Sequence, residues 1–306
     1  REQYRERGWD EWRNTRFESQ QKSQLIPSHW KLAPRPSEIK DWKDDAHHEW
    51  QAERMAVYAA QVAAIDEGLG ELLNVLKESG HEKNTLVLFL SDNGAAPDGG
   101  LSPSKSGFGF ANDQPNDRWR LDHVPIRPGS GPDNLPGSHD TFAAYGLAWA
   151  TLSNTPFRST KLSGYEGGIR TPLLARWPAI ISGDQQSNEV GHVMDLMATC
   201  LDIADVKYPT EFHGRTPVPI EGKSLRPVFE SKPREGHGVL CWSVPRHHVV
   251  RMGNWKAIRP RQGGDWELFD LEADGTETTN LAQQEPDRVQ QLARQFEIWQ
   301  ERVQDQ

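Results

Sequence analysis

A long amphipathic helix running straight into an unbroken apolar strand narrows the possible folds more than any other feature of this chain. From about residue 46 to 79 the apolar positions are Met55, Tyr58, Val62, Ile65, Leu69, Leu72 and Leu76. Steps of three and four place them on one helical face, and Gly80 stands where a C-terminal cap glycine is expected. The run from Thr85 to Leu90, Thr-Leu-Val-Leu-Phe-Leu, is then apolar without alternation. Such a run predicts a strand buried on both faces, within a parallel sheet covered by helices. A helix feeding a strand of this kind is half of a βαβ unit, so the chain reads as α/β.

Around this nucleus the pattern is less regular. Residues 1–20 read as a charged helix or loop, and Pro27, Pro34 and Pro36 make 25–45 an irregular connection. Residues 94–155 are rich in Gly, Pro, Asp and Asn and read as long loops, a length that is uncommon unless the loops are functional. Leu173–Trp177 predicts a second short buried strand. Val193–Ala204 predicts an amphipathic helix with Cys200 in its core face. From about Gly236 the texture changes to short strands at Val239–Ser243, Val249–Met252, Trp255–Ile258 and Trp266–Leu271. Turns fall at Gly253-Asn254 and Gly263-Gly264, and a terminal helix runs from Pro286 to Val303. The expected division is 1–235 and 236–306.

The formal charge of −9 argues against nucleic acid as a partner, since phosphate neutralisation requires basic patches. It leaves room for a small anion at a locally positive site. No apolar run is long enough to span a membrane. Two cysteines, Cys200 and Cys241, allow at most one disulfide. The histidines show no zinc-ligand spacing.

Two segments carry candidate chemistry. Ser91-Asp92-Asn93-Gly94 follows the apolar strand directly, and ligand sites of open α/β sheets lie beyond the carboxyl ends of strands. A carboxylate beside an amide carbonyl supplies hard oxygen donors suited to Ca²⁺ or Mg²⁺, although Asn-Gly is also a common turn dipeptide. Asn154 to Pro172 gathers Arg158, Lys161, Glu166 and Arg170 around Gly167-Gly168, which would permit close backbone approach to a ligand. The competing reading is a surface loop with solvated charges. His139 lies in a loop that could reach the same place. Trp119, His123, Arg127 and Trp149 are further candidates for lining a pocket.

Taken together, these segments resemble the type I sulfatases. The resemblance rests on the helix Met55-x-x-Tyr58-x-x-x-Val62-x-x-x-Asp66, the apolar strand and Ser91-Asp92-Asn93-Gly94. It extends through Lys161 and Glu166-Gly-Gly-Ile-Arg-Thr-Pro172, Asp195-Leu-Met-Ala-Thr199 and Glu221-Gly-Lys-Ser-Leu225. Glu267-Leu-Phe-Asp-Leu271 and Glu277-Thr-Thr-Asn-Leu-Ala282 resemble the family's C-terminal subdomain. The resemblance implies an alkaline-phosphatase-like α/β/α sandwich, incomplete here, with a small C-terminal antiparallel sheet plus helix. It implies one Ca²⁺ with Asp92 and Asn93 among its ligands and Lys161 binding sulfate; His139, by its place in the loop, is a further catalytic candidate. The substrate class would be a small-molecule or carbohydrate sulfate ester, and the setting periplasmic or secreted.

The family's nucleophile is a formylglycine made from Cys or Ser in a Cys/Ser-x-Pro-x-Arg motif. That motif is absent from this sequence. Ser130-Gly-Pro-Asp-Asn134, Ser231-Lys-Pro-Arg-Glu235 and Ser243-Val-Pro-Arg-His247 approach it, and none ends in Arg. The expectation is therefore that this sequence corresponds to the C-terminal part of a sulfatase and is inactive alone. The alternatives are a phosphatase, phosphodiesterase or phosphonate hydrolase of the same superfamily, or a non-catalytic binding module.

Overall fold

A computed structural model describes residues 1–98, 131–133, 135–138, 141 and 144–304. Helix α1, Glu2–Lys22, opens the chain and breaks its helical backbone at Gly8, where φ is +58°. The ring of Trp42 lies so close that a Cβ on Gly8 would meet its Cγ at 2.1 Å, so only glycine fits there. Trp9 packs edge-on against Trp42 and Trp149, at centroid distances of 4.7 and 5.5 Å. This aromatic cluster accounts for many of the tryptophans in the first part of the chain.

Helix α2, His48–Glu78, matches the predicted helix closely. Only its first turns are buried. Trp50, Ala52 and Met55 lie in the core, and Tyr58 stacks on Tyr145 just before helix α3, Gly146–Ser153. Farther along, Val62, Ile65, Leu72 and Val75 are 47, 54, 51 and 62% exposed, so among the described residues nothing covers that part of the stripe. The periodicity identified the helix correctly, but core burial stops near Tyr58.

Strand β1, Val87–Leu90, pairs antiparallel with strand β2, Leu173–Arg176, in the register Val87↔Arg176 through Leu90↔Leu173. This corrects the expectation of a parallel strand buried on both faces. Leu86, Leu88 and Ala175 pack on Trp177, Leu225 and Phe229, whereas Phe89 and Leu174 on the opposite face are exposed. The apolar composition suits double burial, yet among the described residues β2 is the sole strand beside β1 and one face has no covering layer. Cys200 is likewise exposed rather than in the core, on helix α5, Asp195–Ile203. A short helix α6, Arg226–Phe229, follows.

The C-terminal region is an antiparallel sheet in the order β3–β4–β5–β6, formed by Leu240–Ser243, His247–Met252, Trp255–Pro260 and Glu267–Asp270. Each strand lies within a residue or two of its predicted span. Alternation divides the two faces. Val249, Ile258 and Phe269 face Tyr165, while Val250, Ala257 and Leu268 face Leu292 and Phe296 of helix α7, Pro286–Gln304. Both cysteines are free. No described helix is long and apolar enough to cross a membrane.

Candidate functional site

The antiparallel pairing of β1 with β2 puts the site together. Because Leu90 sits opposite Leu173, the chain leaving β1 and the chain entering β2 meet at one end of the sheet. Asp92 and Asn93 leave β1 there. The segment from Asn154 to Thr171 arrives at the same place, with a one-turn helix α4, Glu166–Ile169, just before β2.

Backbone hydrogen bonds lace the two segments together. Gly94 N–H donates to the Gly168 carbonyl at 3.0 Å, and Lys161 N–H to the Ala95 carbonyl at 3.0 Å. Ala95 N–H donates to Asn154 Oδ1 at 2.8 Å, while Asn154 Nδ2 donates to the Ser159 carbonyl at 3.0 Å. Thr171 Oγ1 donates to the Ser91 carbonyl at 2.8 Å. The glycines permit this packing. A Cβ on Gly94 would stand 1.8 Å from the Gly167 carbonyl oxygen, and one on Gly168 would stand 2.3 Å from the Ser163 carbonyl oxygen. Gly167-Gly168 therefore serves close approach of the protein's own backbone, where the sequence had suggested approach to a ligand.

Asp92, Asn93 and Lys161 are thus brought to one locus. Among the described residues, no hydrogen bond or ion pair engages the side chain of any of the three, in contrast to the arginines around them. Arg158 lies over the Tyr165 ring at 4.0 Å and reaches Glu267 at 3.4 Å. Arg170 reaches Glu166 at 3.4 Å and stacks over Phe157 at 4.9 Å. His139, Trp119, His123 and Arg127 lie outside the described residues. Trp149 is fully buried and donates its Nε1–H to the Gln51 carbonyl at 2.9 Å, so it packs the core and does not line a pocket.

Glu166 departs from the reading of solvated loop charges. It is buried, and its carboxylate meets Lys256 Nζ of β5 at 2.6 Å. Lys256 also lies 2.8 Å from Glu277, and the Glu166 N–H donates to Glu277 at 2.6 Å. Burial pushes Glu277 up to about 7, with the neighbouring Glu166 charge adding and Lys256 opposing. Burial works the same way on Glu166, but Lys256 and Arg170 outweigh it and hold that carboxyl below its usual range. His247 also meets this loop, accepting the Gly164 N–H at Nδ1, which leaves Nε2 to carry the proton of the neutral ring. Burial lowers the pKa of His247. Only the tertiary fold reveals Lys256 and His247 as neighbours of the Lys161 loop, since nothing in their local sequence marks them.

Another buried carboxylate, Asp195 at the start of α5, fastens the chain from 190 to 237. It accepts from Arg234 and His237 at 2.8 Å each, and from the backbone N–H groups of His192 and Lys223 at 2.8 Å each. Burial alone would raise its pKa; these donors more than offset it and hold the carboxyl below its usual range.

Among the described residues, no group of three or more His, Cys, Asp or Glu is placed to hold a metal. Asp92 and Asn93 fit a hard cation as two adjacent oxygen donors on a tightly braced loop. They are two of the about six to eight that Ca²⁺ takes.

Comparison with known proteins decides the family. Residues 22–206, more than half of the chain, match the Sulfatase profile, and residues 160–305 match the profile of the N-sulphoglucosamine sulphohydrolase C-terminal region. The chain belongs to the sulfatase family. An uncharacterized sulfatase of Schizosaccharomyces pombe is 32% identical over 95% of this chain and 51% of its own length. The arylsulfatase of Klebsiella aerogenes is 30% identical over 66% of this chain and 40% of its own. The N-acetylglucosamine-6-O-sulfatase of Bacteroides thetaiotaomicron is 26% identical over 79% and 34%. This sulfatase-family chain spans about half the length, or less, of these relatives.

Solved structures share the alkaline-phosphatase-like sulfatase fold. One protein, solved in complex with its substrate D-glucosamine-2-N,6-O-disulfate, superposes with TM-score 0.55 at 23% identity, covering 87% of this chain and 44% of that one. A second, in complex with k-i-k-neocarrahexaose, gives 0.53 at 20% identity, covering 95% and 54%.

Proposed function

We propose that this chain forms one wall of a sulfate-ester hydrolase site and acts on sulfated carbohydrates. The observation that carries the reading is the convergence of Asp92, Asn93 and Lys161 at the carboxyl end of β1, with side chains that no described residue engages. A lysine ammonium is a compact positive charge with three donors, suited to gripping the anionic oxygens of a sulfuryl group. Asp92 and Asn93 would hold a Ca²⁺, which when bound offsets negative charge on the sulfate. In this reading Lys161 binds and orients the ester. The braced loop of Gly94 and Gly168 keeps the two oxygen donors fixed beside it, which limits the reorganisation needed during reaction.

The nucleophile in this reading is a formylglycine, which requires a Cys/Ser-x-Pro-x-Arg segment. These 306 residues contain none, so this polypeptide by itself is expected to be inactive. A carbohydrate substrate is supported by the relatives named for glycan sulfates and by the neighbour solved with a sulfated glucosamine. A periplasmic or secreted setting accompanies that substrate class.

A sulfate ester is favoured over a phosphate ester because the chain belongs to the sulfatase family. The test compares 4-nitrophenyl sulfate with 4-nitrophenyl phosphate, using this chain alone and this chain supplied with the portion of the Klebsiella aerogenes arylsulfatase outside its match. Alone it is expected to turn over neither. Supplemented, it is expected to hydrolyse the sulfate ester in preference. Turnover by the chain alone, or a preference for phosphate, contradicts the reading.

A further inference from the structure

The cluster of Lys256, Glu166 and Glu277 sits where the C-terminal sheet meets the candidate site, and it contains one more carboxylate than ammonium. Each member is at most 3% exposed. The second oxygen of Glu277 accepts the Glu166 N–H. Glu277 itself has φ +59°, a left-handed conformation that costs a non-glycine residue energy.

Charges from every packed element face this group. Arg170, just after α4, is 3.4 Å from Glu166, and Arg251 of β4 also acts on Glu166. Arg158 approaches the Glu277 carbonyl at 3.4 Å, but its charge is answered by Glu267, which also accepts the Tyr165 hydroxyl at 2.9 Å. Glu166 therefore has three cations near it, whereas Glu277 shares Lys256 alone. The surplus negative charge falls on Glu277, which is where a proton is taken up.

The cluster is tied to the site through a short covalent and hydrogen-bonded path. Glu166 opens α4, and two residues on, the Gly168 carbonyl accepts the Gly94 N–H at 3.0 Å. Gly94 follows Asn93 directly, and Ala95 accepts the Lys161 N–H. Any shift of Glu166 displaces the carbonyl that holds the Asp92–Asn93 loop.

We propose that Glu277 and Lys256 are positioning residues for this site. They clamp Glu166 so that α4 holds the Asp92–Asn93 loop against the Lys161 loop, and protonation of Glu277 tightens the clamp. With the proton present the cluster balances one ammonium against one carboxylate. Without it, a second buried anion lacks a full counter-charge and opening becomes easier. The assignment of what is positioned rests on the functional reading above; the test needs neither metal nor turnover, so the two can fail separately.

The test is residue-resolved amide hydrogen exchange on this chain between pH 6 and 8, corrected for intrinsic rates. Glu277 is raised to about 7 in the cluster from an ordinary 4.5. Linkage then predicts that the opening constant at the Gly94 and Lys161 amides rises about tenfold across that range. Glu277→Gln, which keeps shape and removes the proton site, is expected to flatten the profile. Amides of α3 are expected to show no pH-dependent opening in either protein. Lys256→Met is expected to raise opening at Gly94 at every pH. If that variant fails to fold, Glu166→Met with Lys256→Met and Glu277→Met removes all three charges, and its profile is expected to be flat. A flat wild-type profile overturns the proposal. So does a slope that survives Glu277→Gln or the triple change, or an equal slope at the α3 amides, which would mark global stability rather than positioning.

Discussion

At the scale of single residues, buried carboxylates fasten distant segments of this chain to one another, and they respond to pH in opposite directions. Asp195 is fully buried against Arg234, itself nearly inaccessible. Asp195→Asn leaves that guanidinium without its counter-charge and is expected to cost about 3–5 kcal/mol in urea unfolding. Its folded pKa is depressed, so its contribution is present above the usual carboxylate range and is lost as pH falls through the folded value. Glu277 has the opposite sign. Its folded pKa is raised to about 7, so its proton stabilises the fold in mild acid, and that gain is lost as pH rises through about 7. His192, His247 and His248, whose pKa values are lowered by burial, lose stability as pH falls through the usual histidine range. The difference between wild type and Glu277→Gln removes their shared contribution. Wild type is expected to gain on the variant as pH drops from 8 to 5; a constant difference would contradict the buried-proton account. The sequence alone showed Glu166 beside Gly167-Gly168 but not its depth, because its partners Lys256 and Glu277 lie 90 and 111 residues away.

At the scale of elements, local pattern carried much of the fold. The steps of three and four from Met55 to Leu76 specified α2, and short apolar runs with turns at Gly253-Asn254 and Gly263-Gly264 located the strands of the C-terminal sheet. Its two packed faces, Val249, Ile258 and Phe269 against Tyr165 and Val250, Ala257 and Leu268 against α7, emerge only in the fold. Pattern failed where it had to foretell partners. Thr85–Leu90 is as apolar as a doubly buried strand, yet Phe89 is exposed and the neighbour is antiparallel. Val62, Ile65, Leu72 and Val75 form an apolar stripe that no described residue covers. Exposed apolar surface of this kind drives association. This chain in isolation is expected to self-associate in sedimentation velocity and to bind a hydrophobic dye. Val62→Lys with Ile65→Glu, Leu72→Lys and Val75→Glu is expected to reduce both while leaving the helix intact by circular dichroism. A monodisperse wild-type chain that binds no dye would show the stripe to be covered.

At the scale of the whole molecule, one sheet end organises the proposed site. The antiparallel register of β1 and β2 delivers the Asp92–Asn93 loop and the Lys161 loop to the same place, and glycines with no room for a Cβ lock them together. The motifs were legible in the sequence because each is short and local; their meeting was implied only by the family resemblance, since it depends on the pairing of strands more than 80 residues apart. The measurement that bears most directly on this account is the rate of 4-nitrophenyl sulfate hydrolysis by the supplemented enzyme carrying Asp92→Ala or Lys161→Ala. Each substitution removes a charge that the proposed function assigns to the sulfate or its metal, and each is expected to lower kcat/KM by about 10²–10³-fold. The Asp92 variant is also expected to need more Ca²⁺ for half-maximal rate. Rates within about twofold of the unsubstituted enzyme for either variant would contradict the assignment of this sheet end as the sulfate site.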